Sequence, residues 1–280
     1  MSLSCRVAII TGASRGIGRA VALRLAEDGL DVALNDLPSA HARLESVRGE
    51  IEDRRRRALV VPADVTSAPD VERMVSQTAD HFGRLDVMVA NAGVAIFKKF
   101  VDTTVEDWHK VHGVNGLGVF LSYKYAALKM QELGNKSGRI IGASSALGRT
   151  GSPKAGVYCQ TKFGVRGLTQ ALALELAQTG ITVNYFCPGW TDTEMIRDVS
   201  EGTGDVDEFY AAVTAQTPMG YLGRPDDIAD AVSFLASPQA HYITGELSQC
   251  PFQSICSLRM ALRRTRGTSW LQSRLPRTNC

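Results

Sequence analysis

The sequence predicts a single doubly wound α/β domain, with a mostly parallel sheet of about seven strands and helices on both faces. Short β-branched or apolar runs alternate with longer segments of helical period, which favours parallel strands joined by covering helices. A glycine-rich turn joins the first run to the first helical segment. The composition, 44% hydrophobic and 21% charged over 280 residues, is that of an ordinary globular protein, and one such sheet commonly occupies about 250 residues.

The predicted strands are six short runs, and the predicted helices carry apolar residues at spacings of three and four. The strands span residues 7–10, 32–34, 58–61, 85–90, 139–143 and 182–186. The helices span residues 16–27, 67–82, 105–133, 155–177 and 225–235. A seventh strand begins at residues 246–248 and is interrupted by Gln249, Cys250 and Pro251.

Two regions differ in charge, and we assign residues 1–248 to the folded domain and residues 249–280 to an atypical tail. The tail contains six arginines and no acidic residue or lysine, and it shows neither a helical stripe nor a clear strand. The domain has 25 basic and 29 acidic side chains, a net charge of −4. A mildly acidic domain gives no support to a nucleic-acid surface.

The expected location is cytoplasmic, without a membrane span or a metal site. No stretch approaches the roughly 18 uninterrupted apolar residues that a span needs, and the N-terminus lacks a signal-peptide pattern. Cys5, Cys159 and Cys187 lack the paired spacing of a zinc site, so we expect three reduced thiols.

The glycine-rich turn has the context of a dinucleotide site and makes the predicted fold Rossmann-like. Gly12, Gly16 and Gly18 lie between a strand and a helix, where backbone amides can face a pyrophosphate. Their spacing differs from the common G-x-G-x-x-G pattern, and a tight connection is the alternative. Asp36 ends the second strand 24 residues after Gly12, close to the roughly 20 expected for a carboxylate that accepts the ribose hydroxyls.

A tyrosine and a lysine four residues apart predict proton-transfer chemistry. Tyr158 and Lys162 share one helix face, so the ammonium can favour ionisation of the phenol, whose ordinary pKa is about 10. Such a phenol can exchange a proton with a carbonyl oxygen. Ser145 lies thirteen residues before Tyr158. A tyrosine and a lysine at this spacing, without other motifs, usually lie on a solvent-exposed helix face and have no function. Their combination with Ser145 and the glycine turn favours hydride-transfer chemistry.

These motifs together resemble the short-chain dehydrogenase/reductase family over about residues 6–245. The resemblance implies an NAD(P)-dependent oxidoreductase that forms a homotetramer or homodimer, unless the altered C-terminus prevents assembly. The catalytic residues that it implies are Asn115, Ser145, Tyr158 and Lys162. The cofactor contacts that it implies are Gly12, Ser14, Arg15, Gly16, Ile17, Gly18, Asp36, Asp64, Val65, Asn91, Ala92, Gly93, Tyr158, Lys162, Pro188, Gly189, Thr191 and Thr193.

The resemblance also implies the role of each catalytic residue. Tyr158 exchanges the proton, and Lys162 keeps the phenol acidic and holds the nicotinamide ribose. Ser145 stabilises the charge that develops on the substrate oxygen. Asn115 holds a water that links Lys162 to solvent, although it could instead be a satisfied polar group in a kinked helix. Asp64 could likewise only cap the following helix.

Two residues in the sequence favour different cofactors. Asp36 would accept both ribose hydroxyls and repel a 2′-phosphate, whereas Arg15 resembles the basic residue of NADP-preferring relatives. A phosphate beside a carboxylate is repelled unless Arg15 bridges the two, so we expect NAD, with NADP possible.

The substrate is expected to meet the connections at residues 94–100, 147–157 and 190–219, because such loops usually carry recognition. A small or medium carbonyl or alcohol fits, and acetoin- or diacetyl-like ketones, polyols and 3-oxoacyl compounds all remain open. No obvious carboxylate clamp is present, although Arg149, Lys154 or Arg197 could be enlisted.

The tail leaves a second hypothesis open. Relatives usually follow the turn at Thr244 and Gly245 with a last strand that borders the active site, whereas this chain departs from that pattern. A splice or frameshift variant would look like this, and the chain would then be a catalytically inactive, NAD(P)-binding scaffold. An arginine-rich anchor for a partner is another interpretation of the tail.

Overall fold

Every strand of the sheet runs parallel to its neighbours in the computed structural model, which describes residues 5–201, 204–245 and 247–249. The strands are β1 (Val7–Thr11), β2 (Asp31–Asn35), β3 (Ala58–Val60), β4 (Val87–Ala90), β5 (Arg139–Ala143), β6 (Thr182–Cys187) and β7 (Leu247–Gln249). Their order in the sheet is β3-β2-β1-β4-β5-β6-β7. The predicted fold class, a single Rossmann-like α/β domain, is confirmed.

The helices lie on both faces of this sheet. They are α1 (Gly16–Glu27), α2 (His41–Asp53), α3 (Ala68–Phe82), α4 (Val105–His112), α5 (Val119–Glu132), α6 (Gly156–Leu176), α7 (Glu194–Glu201), α8 (Val206–Ala215) and α9 (Pro225–Ala236). One apolar layer joins α1, α2 and α9 to the sheet, and another joins α3, α5 and α6 to its opposite face. Within the described ranges, no helix is long and apolar enough to cross a membrane.

The predicted helices included no bounds for α2, α7 and α8 and treated α4 and α5 as one. The apolar residues of α2 do follow helical spacing, since Leu44, Val47 and Ile51 are all buried. Between α4 and α5 the backbone forms a π-helical turn over Gly113–Gly118, which contains three glycines of low helix propensity. The helix predicted over residues 105–133 is therefore continuous in the structure over residues 105–132, with a π-helical turn inside it.

Strand order reverses between β1 and β4, which places a crevice at their carboxyl ends. The glycine turn follows β1, and the loop after β4 lies beside it because the two strands pair. The predicted seventh strand is present as β7, which pairs with β6 from Leu247 to Gln249. The expectation that Gln249 interrupts the strand is wrong, because this residue pairs with Cys187. The predicted irregular tail lies, from residue 250 onward, outside the described residues, and the division at 248 remains a prediction.

Candidate active site

A cleft of about 340 Å³ opens at the carboxyl ends of the strands. Nearly all the residues predicted to contact cofactor or substrate line it. Those that do are Gly12, Arg15, Gly16, Ile17, Gly18, Asp36, Asp64, Val65, Asn91, Ala92, Gly93, Ser145, Tyr158, Lys162, Pro188, Gly189, Thr191 and Thr193. Of the predicted set, Ser14 and Asn115 lie outside this lining.

The glycine loop is held in shape by the end of β4. Gly12 has φ of +66°, a left-handed conformation that favours glycine, and a Cβ at Gly18 would overlap the carbonyl oxygen of Gly12. The side-chain amide of Asn91 donates to the carbonyl oxygen of Thr11 at 2.9 Å. The structure therefore shows Asn91 bracing the loop, in addition to lining the cleft.

The beginning of α1 fits the diphosphate of a dinucleotide. Arg15 is the N-cap residue and its side chain makes no hydrogen bond to the first turn, so the amides there are free to bind an anion. The buried hydroxyl oxygen of Ser14 has no hydrogen-bond partner among the described residues. A buried polar group without a partner is costly, and a bound ligand oxygen would satisfy it.

Asp36 lies at the rim of the cleft with its carboxylate oriented by two backbone amides. Its oxygens accept from Ser14 N at 3.3 Å and from Leu37 N at 2.8 Å. Arg15 instead points to Asp198 on α7, with 3.8 Å between the charged groups, and both side chains are largely exposed. The carboxylate is thus fixed at the rim, whereas the guanidinium is held only by a weak surface pair.

Asp64 has a local structural role as well as a place in the cleft lining. One of its carboxylate oxygens accepts from the backbone N of Thr66 at 2.9 Å and from the hydroxyl of Thr66 at 2.8 Å. This turn precedes α3, and the backbone N of Asp64 also donates to the side chain of Asp70 on α3 at 3.2 Å, so Asp64 contacts both Thr66 and the helix. Both interpretations of Asp64 therefore remain compatible with its position.

Ser145, Tyr158 and Lys162 meet at one wall of the cleft because β5 delivers the serine and the first turns of α6 deliver the other two. Ser145 caps the turn after β5 by accepting from Leu147 N at 3.1 Å, and its side chain is hydrogen-bonded to Tyr158. The ammonium of Lys162 donates to the carbonyl oxygen of Ala143 at 2.8 Å. Its nitrogen lies 5.6 Å from the centroid of the Tyr158 ring.

Burial dominates the ionisation of both groups. It raises the pKa of Tyr158 to about 12, although the hydrogen bond with Ser145 acts in the opposite direction. It lowers the pKa of Lys162 to about 8. Desolvation thus opposes ionisation of the phenol, and the causes of its pKa shift do not include Lys162. The expectation that Lys162 makes the phenol acidic stays a prediction.

Asn115 lies in the π-helical turn, behind the cleft, and is completely buried. Its side-chain oxygen accepts from Val94 N at 2.9 Å, and its nitrogen donates to Val94 O at 2.9 Å and to the hydroxyl of Thr161 at 3.2 Å. A Cβ built on Gly93 would lie 3.3 Å from the Asn115 oxygen and 3.5 Å from the Lys162 nitrogen. Asn115 therefore faces the same small space as Lys162.

The substrate end of the cleft is mainly apolar. Its walls come from the predicted recognition loops and include Val94, Phe97, Leu147, Trp190 and Met195. The Phe97 and Tyr158 rings are 6.1 Å apart. The sequence analysis named these loops but did not single out Phe97, because an aromatic residue in a loop carries no periodic signal.

Glu194 is a cleft residue that the sequence analysis missed. Its carboxylate would lie 3.4 Å from a Cβ built on Gly16 at the start of α1. Nothing in its sequence context predicts this approach, since it depends on how the segment after β6 folds back over the glycine loop.

Comparison with known proteins agrees with this site. A family model described as enoyl-(acyl carrier protein) reductase matches residues 12–249. A short-chain dehydrogenase/reductase of Armillaria gallica is 46% identical over 242 residues, which cover 86% of this chain and 92% of that protein. The chain belongs to the short-chain dehydrogenase/reductase family. This membership makes it an oxidoreductase by family and confirms the predicted resemblance.

Other family members differ in substrate and cofactor. The L-2,3-butanediol dehydrogenase of Corynebacterium glutamicum is 37% identical, over 86% of this chain and 95% of that protein. The 3-ketoacyl-(acyl-carrier-protein) reductase of Brucella melitensis, solved with NADH, has a TM-score of 0.80 at 34% identity, covering 89% of this chain and 98% of that one. A variant of actinorhodin polyketide ketoreductase, solved with NADPH, has a TM-score of 0.83 at 34% identity, over 88% and 95% of the two chains.

Proposed function

We propose that this short-chain dehydrogenase/reductase transfers a hydride between NAD and the carbonyl or secondary alcohol of a small or medium, uncharged substrate. The observation that carries the proposal is the convergence of Ser145, Tyr158 and Lys162 on the cleft that also contains the glycine loop and Asp36. The nicotinamide would supply or accept the hydride, and the protein's side chains would supply the proton and the electrostatic stabilisation.

Tyr158 is the proposed proton donor in reduction and the proposed acceptor in oxidation. With a pKa of about 12 it is protonated at neutral pH, as a donor must be. Ser145 lies within hydrogen-bonding distance of Tyr158 and can turn its one proton toward the substrate oxygen, so both hydroxyls would stabilise the charge that develops there.

Lys162 would stabilise the phenolate that remains after proton transfer and would return the proton from solvent. Its ammonium and the Asn115 oxygen face one small space, where a single water can hydrogen-bond to both. We propose that Asn115 holds this water, as the family resemblance implies.

The substrate class is supported by the polarity of the wall near Tyr158. Val94, Phe97, Leu147, Trp190 and Met195 present apolar surface, and Arg149, Lys154 and Arg197 are not among the residues that line the cleft. A substrate carboxylate would therefore find no cation on the recognition loops of this wall, and the cations that do line the cleft, Arg15 and Lys162, lie at the glycine loop and beside Tyr158. Diketones, hydroxyketones and vicinal diols, or a neutral 3-oxoacyl chain, suit this wall, and the names of the butanediol and 3-ketoacyl relatives point to the same range.

NAD is the proposed cofactor because Asp36 is anchored at the rim, where a 2′-phosphate would meet its charge. The weak Arg15–Asp198 pair leaves the guanidinium available, so NADP remains a weaker alternative.

A homotetramer or homodimer remains our expectation. Exposed apolar residues on α5 and α6 support it, and they include Phe120, Leu128, Phe163 and Leu174. Light scattering during size-exclusion chromatography would test the assembly.

The decisive experiment follows NADH and NADPH absorbance with a panel of diketones, hydroxyketones, diols and 3-oxoacyl thioesters, and then repeats the panel with Tyr158→Phe. We expect turnover with NADH that the substitution abolishes, while the variant still binds NADH in a fluorescence titration. A folded wild-type protein that binds NADH and converts no member of the panel would contradict the proposal and favour the inactive scaffold.

A further inference from the structure

We propose that Thr161 is a positioning residue whose hydroxyl fixes the amide orientation of Asn115, and with it the oxygen that Asn115 presents toward Lys162. The inference rests on the proposed function for its catalytic consequence, but its structural part stands on contacts that are independent of turnover. Neither composition nor the catalytic motif assigns a role to Thr161, which lies between Tyr158 and Lys162 in the sequence.

The direction of each hydrogen bond around Thr161 is determined by chemistry. The Thr161 hydroxyl donates its one proton to the carbonyl oxygen of Tyr158 at 2.8 Å. A carbonyl can only accept, so the hydroxyl oxygen must act as an acceptor toward Asn115, 3.2 Å away. The atom of Asn115 that faces Thr161 is therefore its nitrogen, and the asparagine oxygen is directed away.

The remaining contacts of Asn115 show why the orientation matters. Its oxygen accepts from Val94 N and faces the small space beside Gly93. The Lys162 nitrogen borders the same space, and the two atoms are less than about 7 Å apart. A flipped amide would present a donor to a site where Lys162 already donates.

Thr161 and Val94 both bond Asn115, but they belong to different structural elements. Val94 belongs to a recognition loop and lines the cleft, so its position depends on the loop. Thr161 lies on α6, the helix that carries Tyr158 and Lys162, and it is only 4% exposed. Its hydroxyl is thus the contact that holds Asn115 in register with the catalytic helix itself.

Asn115 and Thr161 border a second cavity of about 370 Å³ between the π-helical turn and α6, lined also by His112, Gln160 and Leu168. Asn115 itself is completely buried, and the backbone of Val94 bonds both ends of its amide. Thr161 therefore adds the contact that ties this amide to α6.

The kinetic test compares Thr161→Val, which removes the hydroxyl at nearly constant volume, with Thr161→Ser, which keeps it. We expect Thr161→Val to lower kcat about tenfold with the Kd for NADH unchanged, and Thr161→Ser to stay within about twofold of the wild type. Thr169→Val is the matched control, because that threonine is also buried on α6 but hydrogen-bonds Tyr123. In an Asn115→Ala background, Thr161→Val should have almost no further effect on kcat.

A second measurement does not require turnover. In protein labelled with ¹⁵N-asparagine, the Asn115 side-chain amide is identified by its loss in Asn115→Ala, and its hydrogen exchange is measured. Thr161→Val should accelerate this exchange about tenfold or more, whereas Thr169→Val should not. An unchanged exchange rate in Thr161→Val, or an equal loss of kcat in the presence and absence of Asn115, would overturn the inference. Faster exchange in a protein without any turnover would support the positioning role and contradict the proposed function.

Discussion

The ammonium nitrogen of Lys162 lies 5.6 Å from the centroid of the Tyr158 ring and donates to the carbonyl oxygen of Ala143. The lysine therefore lies beside the phenol ring, while its ammonium donates a hydrogen bond to the backbone. Lys162 is buried and Tyr158 is partly buried, and desolvation opposes the charged form of each. We therefore expect Lys162, and not Tyr158, to change its protonation state within the pH range of an activity assay.

The pH dependence of carbonyl reduction should report Lys162. Because kcat/KM reflects ionisations of the free protein, we expect it to fall as the pH rises through about 8, where Lys162 loses its charge and Tyr158 remains protonated. Lys162→Arg keeps a permanent charge, so its activity should be lower but without the fall near pH 8. A profile of the same shape in both proteins would exclude Lys162 as the titrating group.

Stability should respond to the same ionisation with a defined sign. The folded-state pKa of Lys162, about 8, lies below the ordinary value of 10.5, so the unfolded chain binds more protons between these values. Its burial penalty is complete below pH 8 and is relieved as the pH rises toward 10.5. Lys162→Met should therefore raise the free energy of unfolding at pH 7, and it should raise that free energy by a smaller amount at pH 10. Each unit of pKa difference corresponds to about 1.4 kcal/mol, and urea unfolding at both pH values measures it.

Asp36→Asn should reduce the preference for NADH over NADPH. The substitution removes the charge and retains the acceptor for the amide of Leu37, so the ratio of kcat/KM values should shift toward NADPH by about tenfold or more. Asp64→Asn is the control, because that carboxylate lies in the same cleft but is bound to Thr66. Equal shifts in the two variants would show that the effect is general electrostatics and not recognition at the ribose.

The neighbouring residue Ser144 provides a control for the proposed role of Ser145. Ser145→Ala should lower kcat/KM by about 10²–10³ with little change in NADH binding, because it removes a donor to the developing oxyanion. Ser144 donates to the carbonyl oxygen of Lys162 at 2.8 Å and is buried. Ser144→Ala should therefore reduce stability by about 1 kcal/mol while most of the activity remains. Similar kinetic losses in both variants would contradict a special role for Ser145.

The close approach of α1 to the glycine loop predicts a large difference between two glycine substitutions. Gly18→Ala would place a methyl group against the carbonyl oxygen of Gly12 and the amide of Asn91, and we expect it to cost about 1–3 kcal/mol and to weaken NADH binding. Gly49 lies within α2 with open space around its Cβ position. Gly49→Ala should stabilise the protein by about 0.5–1 kcal/mol. Thermal unfolding and a fluorescence titration of NADH measure both effects.

The sequence was informative wherever function depends on local order. The bounds of α1 agree with the prediction, since its apolar spacing and preceding glycines are encoded in adjacent residues. The spacing of Tyr158 and Lys162 likewise predicted that both lie at one wall of the cleft. Helices α7 and α8 escaped prediction although a local signal was present for α8, since Asp205 caps it by accepting from Glu208 N at 2.9 Å.

The sequence by itself determined the strand-helix alternation, the glycine loop and the identity of the groups that meet at the cleft, because periodicity and motif spacing are local properties of a chain. Only the tertiary structure decided which charges those groups carry and how they are held. It desolvated Tyr158 and Lys162 together, which moved their pKa values in opposite directions. It also brought Thr161 against Asn115, 46 residues away in the chain. Desolvation and long-range hydrogen bonds depend on what surrounds a residue in space, and that is settled only when the whole domain packs.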